Sequence, residues 1–298
     1  MIAMYLEKIK NVMQDFAFPT DAQAEICLAY KTAFKNPANA KDLENCVLAY
    51  AQNCEQGIMD AIQLCARVAE ETQTYVYAVN MAVLALLADC AKTHYVQKGF
   101  GEKMWRDNFI DFRYKLEECK LVKEVWGTFV PTWYIRFLDV SRFSFGKLQF
   151  EREVCGHEYN KNGVVLDKDS IVVNVHIPRT KQGLTPKDVD DACAQANEFF
   201  KKNGLERVVF ACHSWLLYPE NKKLLKPDSN LYSFISRFDI LEVEEYETYK
   251  EVWRLFDKDY TGNVDELPAD TSLRRAYIDR MKKGEKTGCA YGVFVYEK

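Results

Sequence analysis

The sequence has little that would mark a metal-binding or a secreted protein. It contains four histidines and ten cysteines, and no two cysteines form a C-x-x-C pair. Structural zinc sites usually need such pairs, so no metal is expected. Several cysteines fall at apolar positions of helical patterns, which is typical of buried free thiols in a reducing cytosol rather than of a disulfide framework. We therefore expect a cytoplasmic protein with unpaired cysteines.

Long apolar runs and an excess of positive charge are also missing. The longest candidate run, residues 81–88, is closed by Asp89 and falls short of the ~20 residues that span a bilayer. The first residues carry early charges without a small-residue cleavage site, so no secretory signal is expected. The net charge of −4 and the pI near 5.7 argue against a nucleic-acid-binding surface. We expect neither a membrane nor a nucleic acid as a partner.

What the sequence does contain divides it into two parts. Residues 1–130 show apolar side chains at helical spacing and few prolines, with an interruption at Gly57. This pattern predicts a helical bundle of four to six helices. After Pro131, β-type alternation becomes frequent. We therefore predict an α+β protein, with an all-α helical domain over residues 1–130 and a mixed α/β domain over residues 131–298.

Several short segments of the second part read as strands. Residues 143–151 alternate apolar and polar side chains, as half-buried strands do. Asn162 and Gly163 form a strong hairpin signal, which should fold residues 151–159 back against residues 164–166. Further strands are predicted over residues 239–248, 251–256 and 289–296.

The clearest unit of the second part is a strand, a helix and a strand. An apolar run over residues 171–178 ends at a proline. Thr185 can then cap a helix, with Pro186 at its first position and Asp188 three residues past the cap. An apolar strand returns over residues 207–217. The order predicts a right-handed βαβ unit with two neighbouring parallel strands.

The carboxyl ends of these two strands carry His176 and His213. Both ends should face one crevice, where open α/β sheets bind ligands. A histidine at each end suits proton transfer. The alternative is that each imidazole only forms a hydrogen bond near a strand end. Cys212 adjoins His213 and therefore points to the opposite face, so these two residues are not predicted to form a nucleophilic pair.

The loop between the first strand and the helix is a candidate anion site. It runs from Arg179 to Thr185 into a helix N-terminus, where free backbone N–H groups and the helix dipole suit a diphosphate. Gly183 lets a ligand approach the backbone, while Arg179 and Lys181 add positive charge. A lone glycine also occurs in ordinary strand-to-helix connections, and such a connection is the alternative.

Two other polar stretches could suggest a binding site, but an ordinary structural role accounts for each of them. The segment from Asp257 to Pro268 imitates a calcium-binding EF-hand loop, but the proline stands where a bidentate glutamate is needed. A polar turn is therefore preferred, and a calcium-responsive protein is the weakest hypothesis. The acidic run over residues 242–247 is typical of a solvated edge strand.

The second part also resembles a known protein family through motifs in a fixed order. The motifs are Gly146-Lys147-Leu148-Gln149-Phe150-Glu151, Val175-His176-Ile177-Pro178, Cys212-His213-Ser214-Trp215-Leu216-Leu217, Ser229-Asn230, Leu267-Pro268 and Asp270-Thr271-Ser272-Leu273. They are similar to those of bacterial acyltransferase-domain proteins, which join an N-terminal helical N-acyltransferase domain to a GNAT-like C-terminal domain. Over the helical part the resemblance rests on architecture.

The resemblance implies a GNAT-like fold and transfer of an acyl group from acetyl-CoA or another acyl-CoA to an amine. The amine would belong to a small molecule or a peptide. In GNAT enzymes, backbone amides of the corresponding strand and loop hold the cofactor. The implied cofactor-binding residues here are Ile177, Pro178, Arg179, Lys181, Gln182, Gly183, Leu184 and Thr185. The usual signature has a further glycine where this chain has Leu184 and Thr185.

Direct attack of an amine on a thioester needs a group that takes the amine proton. The candidates for this role are His176, His213 and Glu151. A second hypothesis is a non-catalytic ligand-binding or regulatory module on a degenerate GNAT scaffold. The missing glycine favours this second hypothesis.

Overall fold

A computed structural model of the chain describes residues 2–52, 55–161, 163–180, 182–249 and 251–296. The chain forms two compact units, Met1–Phe143 and Ser144–Lys298. The first unit is helical, and the second is built on a mixed β-sheet with helices. The predicted α+β fold class is therefore confirmed. The nine cysteines that the structure describes are free thiols.

The helical unit has seven helices before residue 130 among the residues described, more than the predicted four to six. They are α1 (Ile2–Asp15), α2 (Thr20–Ala33), α3 (Pro37–Ala51), α4 (Glu55–Thr72), α5 (Val76–Gln97), α6 (Gly101–Phe109) and α7 (Asp111–Lys123). A 3₁₀ turn at Pro131–Tyr134 and α8 (Ile135–Leu138) follow. Ile110 separates α6 from α7, a break that the continuous apolar pattern does not reveal.

Helix α5 lies at the centre of the helical unit and contacts α1, α2, α4 and α6. By length and composition it could cross a membrane, but 67% of its apolar window is buried inside the protein. Asn80 and Asp89 interrupt its apolar sequence, which is why the sequence showed only a shorter run. A helix that is apolar on all sides and covered by neighbours is typical of a domain core.

Gly57 lies inside α4 and does not interrupt a helix, contrary to the prediction. A Cβ at this position would lie 2.7 Å from the backbone nitrogen of Tyr50 and 2.9 Å from the carbonyl oxygen of Cys46, both in α3. The glycine therefore allows two helix backbones to approach closely. The low helix propensity of glycine suggested a break, and helix packing overrides that preference.

Eight strands follow within the described part of the chain, the first of them beginning at the boundary of the two units. They are β1 (Arg142–Phe145), β2 (Leu148–Val154), β3 (Tyr159–Lys161), β4 (Val164–Leu166), β5 (Ile171–His176), β6 (Val209–Ser214), β7 (Asp239–Tyr246) and β8 (Thr287–Val295). The main sheet has the order β1-β2-β5-β6-β8-β7, and β3 pairs separately with β4. Strands β5 and β6 are parallel, whereas the pairs β2–β5, β6–β8 and β7–β8 are antiparallel.

The two faces of the main sheet are covered differently. The helices of this unit are α9 (Pro186–Lys202), α10 (Pro219–Lys222), α11 (Asn230–Ile235), α12 (Trp253–Phe256) and α13 (Ser272–Lys282). Phenylalanines on one face stack on each other, as Phe210 does with Phe150 and Phe294, and Phe145 packs on Phe199 of α9. The other face carries an apolar cluster near the β3–β4 hairpin.

The strand predicted over residues 143–151 is wrong, because the segment folds into two strands. Gly146 adopts a positive φ of 55° and turns the chain between β1 and β2. The predicted hairpin is formed by β3 and β4, with Tyr159 opposite Leu166, while Asn162 lies outside the described residues. Glu151 does not belong to that hairpin, since it pairs in register with Asn174 of β5.

The strand predicted over residues 251–256 is also wrong, because its last four residues form helix α12. Val252 and Phe256 stand four residues apart and are both buried in a cluster with Tyr277 and Met281 of α13. This spacing places both side chains on one helical face. A segment this short is compatible with a strand and with a helical turn. Its packing against α13 therefore determines that it is helical.

Candidate active site

The predicted βαβ unit is present, with β5, α9 and β6 in sequence. The ladder between the parallel strands joins Val173 to Phe210 and Asn174 to Ala211. No later pair joins β5 to β6 in the described residues, so the strands part toward their carboxyl ends. His176 follows Asn174 by two residues, as His213 follows Ala211, and both histidines therefore lie on the same face of the sheet.

His176 forms a close pair with Glu151 on the neighbouring strand β2. The His176 Nε2 atom lies 2.6 Å from Glu151 Oε1, and the two side chains are only 19% and 12% exposed. An ionised carboxylate can only accept hydrogen bonds, so Nε2 carries the hydrogen of this bond. A neutral His176 then has its lone pair on Nδ1. The pair can accept a proton at Nδ1 while Glu151 stabilises the resulting imidazolium.

His213 has different partners, which lie on the two strands beyond β6. Its Nε2 atom is 3.0 Å from the sulfur of Cys289 on β8. The same sulfur lies 3.5 Å from Oε2 of Glu244 on β7, because Cys289 and Glu244 are opposite each other in the ladder. The structure thus joins two of the three predicted proton carriers and gives the third a thiol partner.

A third histidine reaches this face from the segment between β2 and β3. The His157 ring lies on the Tyr291 ring, with the centroids 4.5 Å apart, and its Nε2 atom is 3.4 Å from Glu242 Oε2. Tyr291 stands opposite His213 in the β6–β8 ladder. Three of the four histidines in the chain therefore gather on one face of one sheet, with carboxylates beside them.

Asn174 adds a buried polar group between the two histidine-bearing strand ends. It is 7% exposed, and its Oδ1 atom accepts no hydrogen bond from the residues that the structure describes. A buried carbonyl oxygen without a donor is costly. The side chain shares its face with His176, so an N–H group of a bound molecule could satisfy it.

The start of α9 is closed by its own cap rather than left open. Thr185 Oγ1 accepts a hydrogen bond from the Asp188 backbone N–H, and Asp188 accepts one from the Thr185 N–H. Lys147 donates to the same carboxylate at 2.8 Å and to the Gly183 carbonyl oxygen at 2.9 Å. The hydrogen bonds from Lys147 and Thr185 hold the pKa of Asp188 well below its usual range. The predicted free amides at the helix end are therefore partly used.

The loop before that cap offers other amides. Gln182 and Gly183 are exposed, and the backbone N–H groups of Gln182, Gly183 and Leu184 donate to no group in the described residues. Gly183 does not have a positive φ, and a Cβ there would meet only Asn230 Nδ2 at 3.8 Å. These loop amides could bind an anion. Ile177 and Pro178 lead into the loop, and Lys181 lies outside the described residues.

Arg179 is held by an acidic residue in the segment that imitates an EF-hand. Its Nε donates to Asp257 Oδ1 at 2.7 Å, and its Nη2 lies 2.6 Å from Asp257 Oδ2. Arg274 donates to the same carboxylate at 2.6 Å. The Asp257 carboxylate thus binds two arginines, and these ion pairs account for an acidic residue at this position without a calcium ion. Arg179 would have to share its guanidinium between Asp257 and a bound phosphate.

In the described part of the chain, one cluster of side chains has the donor atoms to hold a metal ion. His213, Glu244 and Cys289 offer ligand atoms within 4.8 Å of one another. The hydrogen bonds given above already link these three groups. The arrangement of the three side chains is therefore accounted for by hydrogen bonds between them, without a metal ion.

Two family models match the chain, one for each unit. The model described as an N-acyltransferase N-terminal domain matches residues 7–140, and the model of a GNAT-like C-terminal domain matches residues 143–294, just over half of the chain. The chain belongs to the family with a GNAT-like C-terminal domain. No curated protein matches it.

Solved structures of acyltransferases share the fold of this GNAT-like protein over both units. One is an acyltransferase mutant in complex with octanoyl-CoA, with 19% identity, a TM-score of 0.75 and coverage of 98% of this chain and 88% of that chain. A complex with decanoyl-CoA and teicoplanin has 18% identity, the same TM-score and the same coverage. A complex with decanoyl-CoA has 16% identity, a TM-score of 0.76 and coverage of 97% and 87%.

Proposed function

We propose that this protein is an acyl-CoA-dependent N-acyltransferase, which transfers the acyl group to an amine by direct attack on the thioester. The observation that carries the proposal is the 2.6 Å pair of His176 and Glu151 where β5 and β6 part. His176 lies at the end of β5, the strand that leads into the loop amides of residues 182–184. A proton acceptor and a candidate anion site therefore adjoin one strand end.

The donor is an acyl-CoA, and similar structures support this part of the proposal. The acyltransferases of the same fold contain octanoyl-CoA, decanoyl-CoA or CoA. In this chain the amides of Gln182, Gly183 and Leu184 would bind the diphosphate, because they donate to no described group and the first two of these residues are exposed. Ile177 and Pro178 would lie beside the pantetheine arm, and Thr185 would close the loop through its cap. Lys181 and Arg179 would add charge.

The acceptor is an amine of a small molecule or a peptide. Two of the similar acyltransferases are complexes that contain teicoplanin or an acylated teicoplanin, which supports an acceptor of this class. The unsatisfied Oδ1 of Asn174 and the carboxylates of Glu151 and Glu242 suit a group that donates hydrogen bonds. This polar face is therefore suited to an amine.

The proposed reaction steps follow from the His176–Glu151 pair. The neutral amine nitrogen attacks the thioester carbonyl carbon, and its proton moves to Nδ1 of His176, where Glu151 stabilises the imidazolium. The carbon–sulfur bond then breaks, and the departing CoA thiolate takes up the proton that His176 releases from Nδ1, which regenerates the neutral imidazole. Amide and CoA thiol are the products, so atoms and charge balance. His213 is proposed as a second proton carrier on the neighbouring strand.

Replacing His213 by alanine tests that second role. Turnover should fall while CoA binding stays intact, because the loop amides of residues 182–184 are on a different segment. Steady-state kinetics and calorimetric titration with CoA provide the two measurements. An unchanged turnover would remove His213 from the mechanism.

Replacing Gly183 by alanine tests the cofactor loop. The free protein should keep its melting temperature, because a Cβ at this position meets only an atom 3.8 Å away and the backbone is not strained. CoA binding should weaken on the order of tenfold, about 1.4 kcal/mol, because a methyl group would stand where the diphosphate approaches the backbone. Calorimetric titration with CoA measures this effect, and an unchanged affinity would place the diphosphate elsewhere.

A non-catalytic module on a degenerate GNAT scaffold is the second candidate. Two observations favour it: Leu184 stands where a further glycine is usual, and the Asp188 carboxylate caps α9 near the proposed phosphate position. Thermal unfolding with CoA, acetyl-CoA and longer acyl-CoAs separates the two candidates. A ligand at 100 times its Kd stabilises the fold by about 2.7 kcal/mol. Stabilisation without turnover of any amine would favour the non-catalytic module.

A further inference from the structure

The contact between His213 and Cys289 was not foreseen from the sequence and lies outside the His176–Glu151 pair. His213, Cys289 and Glu244 come from β6, β8 and β7, three neighbouring strands. Cys289 is 2% exposed, whereas the side chains of His213 and Glu244 reach solvent. The sulfur therefore lies beneath two polar groups that it links.

The Cys289 sulfur has several hydrogen-bonding neighbours, but a thiol has only one hydrogen to donate. His213 Nε2 lies at 3.0 Å and Glu244 Oε2 at 3.5 Å, and the Tyr246 side chain also hydrogen-bonds the thiol. Burial raises the pKa of the Cys289 thiol, with Glu244 adding to the rise and Tyr246 opposing it. The sulfur is therefore a neutral thiol, with one hydrogen to donate.

The direction of each hydrogen bond follows from what each partner can do. An ionised Glu244 carboxylate can only accept, and hydrogen bonds to a charged acceptor are the stronger ones. The thiol hydrogen therefore goes to Glu244. The sulfur is then an acceptor toward His213, so the hydrogen between them belongs to the ring nitrogen.

We infer that Cys289 is a positioning residue that keeps the ring proton of His213 on Nε2 and leaves Nδ1 as its proton-accepting atom. Tyr291 also stands opposite His213 on β8, and His176 lies at the end of the neighbouring strand β5. His176 is already bonded to Glu151, and the ring of Tyr291 is 6.4 Å away between centroids. The thiol is thus the contact that distinguishes the two ring nitrogens.

Nitrogen-15 spectra of the histidine rings test this inference directly. His213→Asn identifies the signals of residue 213, and EDTA is present throughout because His213, Glu244 and Cys289 could also hold a metal ion. The wild-type protein should show Nε2 protonated and Nδ1 bare. In Cys289→Ala the ratio of the two tautomers should shift by up to about tenfold, the effect of losing one hydrogen bond. Cys289→Ser should largely restore the wild-type ratio, because its hydroxyl can accept the same bond.

Cys212→Ala is the matched control. Cys212 adjoins His213, is equally buried and points to the opposite face, so its loss should leave the tautomer ratio unchanged. A wild-type ring protonated on Nδ1, or a ratio that Cys289→Ala does not alter, would overturn the inference. An acyl group found on Cys289 by mass spectrometry after incubation with acyl-CoA would overturn it too, since the thiol would then be a nucleophile.

The effect on turnover rests on the proposed function and is measured separately. If His213 carries protons in catalysis, Cys289→Ala should lower kcat severalfold and change its pH profile, and Cys289→Ser should recover both. A tautomer shift without any change in kcat would support the positioning by Cys289 and contradict the catalytic role of His213. The two failures can therefore be distinguished.

Discussion

Replacing His176 by asparagine is expected to lower kcat about 10²–10⁴-fold, the usual contribution of a positioned proton-transfer group. Asparagine is close in size and can still donate to Glu151, but it cannot accept a proton at neutral pH. The affinity for CoA should remain within a factor of two or so of wild type, because the loop amides are untouched. Pre-steady-state kinetics of acyl transfer and calorimetry measure the two effects.

The carboxylate partner supplies the stronger test. Glu151→Gln should also reduce kcat, because an amide cannot stabilise the imidazolium that forms on His176. Since the two residues act through one hydrogen bond of 2.6 Å, the double variant should lose little more than His176→Asn alone. Losses that multiply in the double variant would show that the residues act independently. An unchanged kcat in His176→Asn would move the proton acceptor to another residue.

The scaffold of the site could be predicted because its signals are local. The capping box at Thr185 and Asp188 and the apolar stripe of α9 depend on residues a few positions apart. Such features follow from the backbone groups that each helix end must satisfy. They fixed the order of strand and helix that places His176 and His213 at neighbouring strand ends.

The errors in the fold arise where partners distant in sequence decide the structure. The sequence around Gly57 predicts a helix break, but close packing against the backbone of α3 requires a glycine there. The sequence around Val252 and Phe256 predicts a strand, but packing against α13 favours a helix. In each case a short segment is compatible with two conformations, and the packing energy of its neighbour exceeds the local preference. No periodicity within the segment contains that information.

The same reason explains which contacts of the site were missed. The Glu151–His176 pair needs the register of β2 against β5, and the Cys289–His213 contact needs the order β6-β8-β7. Both depend on strand pairing between segments far apart in the chain. One usable signal existed: Cys289 and Tyr291 alternate along the last predicted strand, which puts both on one face. Lys147 belongs to one of the motifs that carry the family resemblance, but only the fold brings it to the Gly183 carbonyl oxygen and the Asp188 carboxylate.

In the sheet of the second unit, a large structural effect is expected for an added methyl group at Gly288 in β8. A Cβ at this position would lie 2.2 Å from the Glu244 carbonyl oxygen and 2.9 Å from the Tyr218 ring. Both are rigid groups, one of them backbone, so β7 would have to move away from β8. Overpacking of this kind costs about 1–3 kcal/mol, and sometimes more. Gly288→Ala should therefore lower the melting temperature by several degrees.

Two further glycines of the same unit make the prediction quantitative. At Gly292 the nearest atoms to a Cβ are 3.1 Å away, and at Gly183 the distance is 3.8 Å. The loss of melting temperature on substitution by alanine should therefore be largest at Gly288, small at Gly292 and absent at Gly183, as measured by calorimetry. Since displacement of β7 also moves Glu244 away from Cys289, the thiol hydrogen loses its acceptor, and Gly288→Ala should shift the tautomer ratio of His213 as well. A Gly288→Ala protein as stable as Gly183→Ala would mean that β7 and β8 are not packed as closely as described.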